Sequence, residues 1–242
     1  MSEAANCKKC DFPVTDNFCA NCGQEVKVQP INAAYAKQEL LHLAGYEKGI
    51  LFTFRKLLVA PGDTILKYLE GNRWAIAKPV TFLFVTSVIY SLVAHTFRTE
   101  YAYESEFKQV FDKSSVLVVT KWIDENYGYA NILMMLFIAA SLRLFFRNRP
   151  YNWFETLAML CFIMGEAMVL LMLHPILVYV TSIQWLESVV LTIAFLYISW
   201  ALGQFYGGRA KDYIKAFVAY FLGFLVFEAC AILGAMAFDA LK

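Results

Sequence analysis

Four cysteines near the amino terminus form the pattern with the clearest chemistry in the sequence. Two Cys-x-x-Cys pairs, at residues 7–10 and 19–22, are separated by an eight-residue spacer. Two such pairs can place four thiolates around one tetrahedral ion, at ~2.3 Å for each Zn–S bond. The residue after each pair tends to need a positive φ, which Gly23 adopts freely and Asp11 tolerates. The pattern predicts a small zinc ribbon with Zn2+ as a structural cofactor and four ligands: Cys7, Cys10, Cys19 and Cys22.

Other uses of these cysteines remain open at this point: a disulfide pair, a redox dithiol or an iron–sulfur site. A cytoplasmic amino terminus, argued below, places the thiols in a reducing compartment, which disfavours a disulfide. Four protein ligands leave no open coordination position, so a zinc ion here is expected to fold the segment rather than catalyse. The remaining cysteines, Cys161 and Cys230, fall in apolar segments, where we expect them to serve packing.

Five of the ionisable residues within or near the ends of long apolar segments are candidates for a common site. Charged groups in the bilayer are costly and usually face a cavity or a partner. Glu166 is expected near the bilayer midplane and the other four towards the outer side. We therefore predict one outward-opening polar pocket, used as a proton or cation pathway or as a divalent metal site. The alternative is a set of neutral, hydrogen-bonded acids and interfacial side chains. The five candidates are Glu166, His174, Glu187, Glu228 and His95.

The segment just before the first apolar stretch carries candidate lipid contacts. Gly71-Asn72-Arg73-Trp74 is predicted to form a turn that places Arg73 and Trp74 at the membrane interface, with Lys78 close behind. A guanidinium there can clamp a lipid phosphate. The alternative is an anchor that only sets the depth of the span.

These residues must be positioned by helices that cross a membrane. The 242-residue chain is 60% hydrophobic and only 17% charged, and the apolar residues occur in long blocks. A span needs ~20 apolar residues, whereas barrel strands are shorter and alternate in polarity. The sequence predicts an all-α membrane protein of about five transmembrane helices. The predicted spans are residues 79–97, 129–146, 153–179, 183–205 and 213–238.

The basic residues predict the orientation of the spans. Sixteen of the 21 Lys and Arg lie before the first span, between spans two and three, or around the connection of spans four and five. A five-span arrangement puts all three regions on one side, and the positive-inside rule makes that side cytoplasmic. The loop at residues 98–128, on the opposite side, has more acidic than basic residues. We therefore predict a cytoplasmic amino terminus and an external carboxyl terminus.

Between the zinc ribbon (residues 1–30) and the bundle (residues 79–242), residues 31–78 are expected to form amphipathic, interfacial helices. Apolar residues recur at helical spacing beside Lys and Arg, as in helices that lie in the headgroup plane. Packing against the bundle is the alternative. Asp63 is predicted to cap a short helix over residues 64–70. Within the loop at 98–128, residues 114–123 are expected to form a surface helix or a short strand.

Three sequence motifs together resemble a bacterial family of zinc-ribbon membrane proteins of unknown function. They are the cysteine pairs followed by Gly23-Gln24, the run Pro61-Gly62-Asp63-Thr64-Ile65-Leu66-Lys67-Tyr68-Leu69-Glu70-Gly71-Asn72-Arg73, and the entry Pro79-Val80-Thr81-Phe82-Leu83. The resemblance covers roughly residues 7–85. It implies a multi-pass protein of the bacterial inner membrane but no reaction.

The function predicted on these grounds is a membrane-embedded interaction or regulatory module. The zinc ribbon would dock a protein partner or a second copy through Lys8, Lys9 and its exposed turn. A small transporter or channel using the buried Glu and His residues is the alternative, and a lipid-acting enzyme is a weaker one. Phosphate-binding loops, Gly-x-Ser-x-Gly and His-Glu-x-x-His are absent, so no catalytic residue is assigned. A net charge of +1 gives no reason to expect nucleic acid; the lipid bilayer is an expected partner.

Protease protection tests the predicted orientation. An epitope at residue 1 should be removed by protease in inside-out membrane vesicles and protected in right-side-out vesicles, because the basic flanks hold that end in the cytosol. An epitope within the loop at 98–128 should show the opposite pattern. Removal of the amino-terminal epitope in right-side-out vesicles would contradict the assignment.

Overall fold

The computed structural model describes residues 5–7, 9–14, 17–23, 49–73, 75–97, 115–125, 127–183 and 185–240. The chain divides into two compact units, residues 1–43 and 44–242, which are described separately. The predicted amphipathic pattern at residues 31–48 therefore lies outside the described residues. So do Lys8, Trp74 and most of the loop at 98–128.

The first unit contains a minimal hairpin. Strand β1 (Ala5–Asn6) pairs antiparallel with β2 (Pro13–Val14), with Ala5 opposite Val14. The turn between the strands carries the first cysteine pair. The hairpin thus closes across this pair.

The regular secondary structure of the second unit is helical in all its described residues. Its helices are α1 (Ile50–Val59), α2 (Pro61–Leu69), α3 (Pro79–Phe97), α4 (Ser115–Glu125), α5 (Tyr127–Phe145), α6 (Trp153–Leu171), α7 (Leu173–Thr181), α8 (Leu186–Tyr206) and α9 (Ala210–Ala240). Four stretches are long and apolar enough to cross a membrane: Pro79–Phe97, Trp153–Thr181, Leu186–Tyr206 and Ala210–Asp239. A shorter apolar helix covers Tyr129–Phe145. The predicted fold class, an all-α membrane protein, is confirmed.

Local sequence explains where the third apolar stretch begins and where it breaks. Asn152 caps α6: its side chain accepts from the N–H of Glu155 (2.9 Å), and the Glu155 carboxylate accepts from the N–H of Asn152 (2.7 Å). The break between α6 and α7 lies at Met172, three residues before Pro175. Proline has no N–H to donate to the carbonyl of Leu171 and its ring crowds that turn, so the helix is interrupted there.

Helix α6 lies at the centre of the bundle. In its apolar stretch 67% of the residues are buried inside the protein, against 22% for α3. Helices α3, α5 and α8 pack around it, and α9 packs against α5 and α8. A methyl group on Gly165 of α6 would lie 2.9 Å from the Phe82 ring, which shows how closely α3 approaches.

Helices α1 and α2 pack against α6 and α8. Leu57 and Ile65 are fully buried, and the ring of Tyr68 lies edge-on to that of Phe162, 5.1 Å between centroids. The backbone N–H of Gly62 donates to the Gln204 side chain of α8 (3.2 Å). These helices therefore use one face to cover the bundle. Their placement in the headgroup plane remains a prediction.

Two local predictions are resolved by the structure. Asp63 is not an N-cap: α2 begins at Pro61, its N-cap is Ala60, and no side chain caps it. Proline favours the first helical position because its φ is already helical and its missing N–H is not needed there. Asp63 instead pairs with Lys67 one turn on, at 2.8 Å. In the loop at 98–128, residues 115–125 form a helix, α4, so the strand alternative is wrong.

Helix α4 is held to the end of α9. The Asp239 carboxylate accepts hydrogen bonds from the backbone N–H of Ser115 (2.7 Å) and from the Ser115 hydroxyl. A carboxylate at a helix amino terminus satisfies free N–H groups and complements the helix dipole. Asp239 thus anchors the start of α4.

The contact between α5 and α9 predicts a pair of contrasting glycine substitutions. A Cβ on Gly223 would lie 2.6 Å from the Cα of Ile138, so Gly223→Ala forces two backbones apart; we expect it to destabilise the protein by about 1–3 kcal/mol. Gly234, on the same helix, has nothing within 4 Å. Gly234→Ala should be neutral or stabilise by up to about 1 kcal/mol, through helix propensity. Thermal unfolding in detergent measures both, and equal melting temperatures would contradict the packing.

Candidate metal centre and buried polar residues

Two equivalent turns bring the cysteines together. The N–H of Asp11 donates to the carbonyl of Cys7 (2.9 Å), and the N–H of Gly23 donates to that of Cys19 (2.8 Å). Asp11 has φ 59° and Gly23 has φ 70°, so the predicted need for positive φ is confirmed at both positions. These turns place the two pairs face to face.

The four sulfur atoms form one cluster. All lie within 4.8 Å of one another, with Cys10 Sγ at 3.4 Å from Cys22 Sγ and 3.6 Å from Cys19 Sγ. A tetrahedral ion at ~2.3 Å from each sulfur requires sulfurs ~3.8 Å apart. The observed spacing therefore fits a metal ion held by four thiolates. Within the residues that the structure describes, it is the one group of three or more candidate ligands that does so.

Backbone amides around the cluster favour the thiolate form. The N–H of Phe12 facing Cys10 is the main cause that lowers the pKa of this thiol to about 6. The N–H of Lys9 is the main cause that lowers the pKa of Cys7. Hydrogen bonds to a charged form stabilise it, and the thiolate is the form that ligates metal. The backbone of the turns thus prepares the ligands as well as positioning them.

The two remaining cysteines have different surroundings. Cys161 is buried in the bundle with its sulfur 3.9 Å from that of Met135, and Cys230 is exposed on α9. Neither belongs to the cluster. The structure thus assigns candidate ligand chemistry to four of the six cysteines.

Glu166 is a buried acidic residue without a hydrogen-bond partner for its carboxyl group among the residues that the structure describes. Its side chain is 0% exposed, and neither carboxyl oxygen has a hydrogen-bond partner. It interacts electrostatically with Tyr197 of α8, whose hydroxyl donates to the carbonyl of Leu57 (3.2 Å). Sequence reasoning missed Tyr197, because a tyrosine in an apolar helix gives no sign of which neighbour its hydroxyl meets.

The other members of the predicted pocket differ in their surroundings. His174 of α7 and Glu187 of α8 are buried and interact electrostatically, so the structure brings this pair together. Glu228 is half-buried on α9, and His95 is exposed at the end of α3. No second group of three metal-ligand side chains occurs among the described positions. Convergence of all five on one pocket stays a prediction.

The candidate lipid contacts are accessible where they are described. Arg73 and Lys78 are exposed. The Arg73 guanidinium lies over the ring of Tyr68, 5.3 Å from its centroid, and its Nε donates to the Tyr68 carbonyl (3.4 Å). The Arg73 side chain thus contacts Tyr68 of α2, while its binding of lipid stays a prediction.

Fold and site together define a helical membrane protein with an amino-terminal four-cysteine cluster able to hold a metal ion. A family described as a protein of unknown function (DUF3667) matches residues 47–91, which include α1, α2 and the first part of α3. This agrees with the resemblance to an uncharacterised family, and the cysteines lie outside the matched residues. No curated protein and no solved structure matches the chain.

Metal analysis of the purified chain tests the cluster. We expect one metal equivalent per chain, and Cys10→Ser should remove it because a three-thiolate site loses both a charge and a ligand. Cys230→Ser, a change at an exposed cysteine outside the cluster, is the matched control and should leave the metal content unchanged. Metal-free wild-type protein, or equal loss in both variants, would contradict the assignment.

Proposed function

We propose that the protein is a membrane-anchored interaction module whose amino-terminal zinc ribbon docks a protein partner or a second copy of the chain. The observation that carries the proposal is the surface of the first unit. Phe12 and Phe18, each next to one of the cysteine turns, are 44% and 60% exposed. Exposed aromatic side chains on so small a unit are typical of contact sites.

The metal proposed for the cluster is zinc, in a structural role. Four thiolates in a tetrahedral arrangement suit Zn2+, and a saturated coordination shell leaves no position for a substrate. Among the described residues of this unit the buried apolar ones are Cys7, Val14 and Cys19, too few to form a core without a metal. Zinc would therefore hold Phe12 and Phe18 in place.

The proposed location is the bacterial inner membrane, with the first unit in the cytoplasm. The resemblance described above and the distribution of Lys and Arg support this location. Lys9 is exposed beside the first cysteine pair and adds a positive charge to the docking surface. Thiols on the cytoplasmic side remain reduced and able to bind metal.

Paired substitutions in the full-length chain test the docking role. Phe12→Ser together with Phe18→Ser should abolish capture of the partner or of a second copy, because the apolar contact area is removed while all four ligands remain. The readout is chemical cross-linking in native membranes, with the mass of the solubilised complex measured afterwards.

Two controls make the result decisive. Zinc content must equal that of the wild type, which shows that the fold of the unit is kept. Asn17→Ala, an exposed polar change in the same spacer, should leave capture unchanged. Unchanged cross-linking and mass in the double Phe variant would eliminate the docking role.

A further inference from the structure

The isolation of Glu166 points to a second site, independent of the cysteine cluster. Glu166 is thirteen residues past Trp153, so it lies about 20 Å along α6. α6 is the most buried of the candidate spans. A carboxyl group at this depth, with both oxygens unpartnered, is too costly to hold as an unpaired anion.

Nearby hydroxyl groups are occupied by backbone carbonyls. On α3, the Thr86 hydroxyl, close to Gly165, donates within its own helix to the carbonyls of Phe82 (2.9 Å) and Leu83 (3.0 Å). On α8, the Tyr197 hydroxyl donates to the carbonyl of Leu57 on α1. Neither hydroxyl proton is directed to Glu166.

The charged residues on the packed helices are engaged or exposed elsewhere. His174 of α7 interacts with Glu187 of α8. The charged side chains described on the other packed helices are exposed: His95 on α3, Arg143 on α5, Arg55 and Lys56 on α1, and Asp63 and Lys67, which pair with each other, on α2. Buried titratable side chains on the same elements are Tyr68, Tyr90, Cys161, Tyr197 and Tyr206. Tyr197, on a helix that packs directly against α6, interacts electrostatically with Glu166.

We propose that Glu166 is a proton-binding site whose ionisation state is transmitted to α1 through Tyr197. In the packed state the carboxyl group carries its proton and Tyr197 donates to Leu57. When that proton leaves to water, the carboxylate becomes a strong acceptor that attracts the Tyr197 hydroxyl from the neighbouring helix. A tyrosine has one O–H to donate, so it cannot serve both acceptors. When the Tyr197 hydroxyl turns to Glu166, it no longer donates to the Leu57 carbonyl, and α1 loosens from α8. Tyr197 keeps its proton throughout.

Infrared spectroscopy tests the bound proton. At neutral pH the wild type should show the C=O stretching band of a protonated carboxylic acid, shifted in D2O. Glu166→Gln should remove this band, and Glu228→Gln, at a half-buried glutamate of α9, should retain it. A wild type without a band specific to Glu166 would overturn the proposal.

Hydrogen exchange of the amides of residues 50–59 tests the coupling. After correction for intrinsic rates, exchange in α1 should rise about fivefold from neutral to alkaline pH in the wild type, the effect of losing one hydrogen bond. Tyr197→Phe should show the faster exchange at every pH, and Glu166→Gln the slower. Equal pH dependence in the wild type and Tyr197→Phe would overturn the coupling, even if Glu166→Gln failed to fold.

Cys10→Ser separates this site from the docking role. The infrared band and the pH dependence of α1 should persist in that variant, because the proposed proton site uses none of the cysteines. Their loss in Cys10→Ser would contradict an independent site.

Discussion

The enclosure of α6 by other helices is the constraint on which the rest of the second unit depends. A helix that faces lipid must present apolar side chains, because hydrocarbon offers no partner to a polar group. A helix surrounded by protein can carry small and ionisable residues. Gly165 allows the close approach of α3, and the adjacent Glu166 is shielded from lipid by the same packing. The helix packing that makes the bundle compact thus also buries the carboxyl group of Glu166 away from lipid.

The first unit depends on a different principle. Its described residues bury too little apolar surface for a stable core, so a metal ion held by the four cysteines would supply the stability that packing does not. Asp11 and Gly23 have positive φ, and their N–H groups donate to the carbonyls of Cys7 and Cys19. Other backbone N–H groups donate to the sulfurs of Cys7 and Cys10 and favour their thiolate forms. Metal binding would therefore be coupled to folding in this unit, whereas the helical unit has its own core.

Sequence patterns predict features that depend on neighbouring residues, such as helix length and cysteine turns. They do not predict contacts between residues that are distant in the sequence. Apolar runs locate the spans because hydrocarbon thickness fixes their length: the first predicted span, 79–97, has the bounds of α3. The cysteine spacing and the glycine at residue 23 predict the turns that bring the four cysteines together. Asp63 was misassigned because Pro61 already supplies the helix start. The amphipathic pattern of α1 marks an apolar face, but periodicity does not say whether lipid or protein covers it. The link from Tyr197 to Leu57 joins residues 140 apart, and nothing local encodes it.

The family match covers residues of the second unit that pack in its core. The matched residues, 47–91, include Leu57, Ile65 and Tyr68, which are buried in the core, and Phe82, which contacts α6. They also include Gly62, where a side chain would meet the backbone of Gln204 at 2.7 Å. Packing of this kind tolerates few side chains at these positions. The cysteines obey the separate demands of metal geometry. The family match therefore covers the segment that packs on α6 and not the four cysteines, so the two regions have to be tested with separate variants.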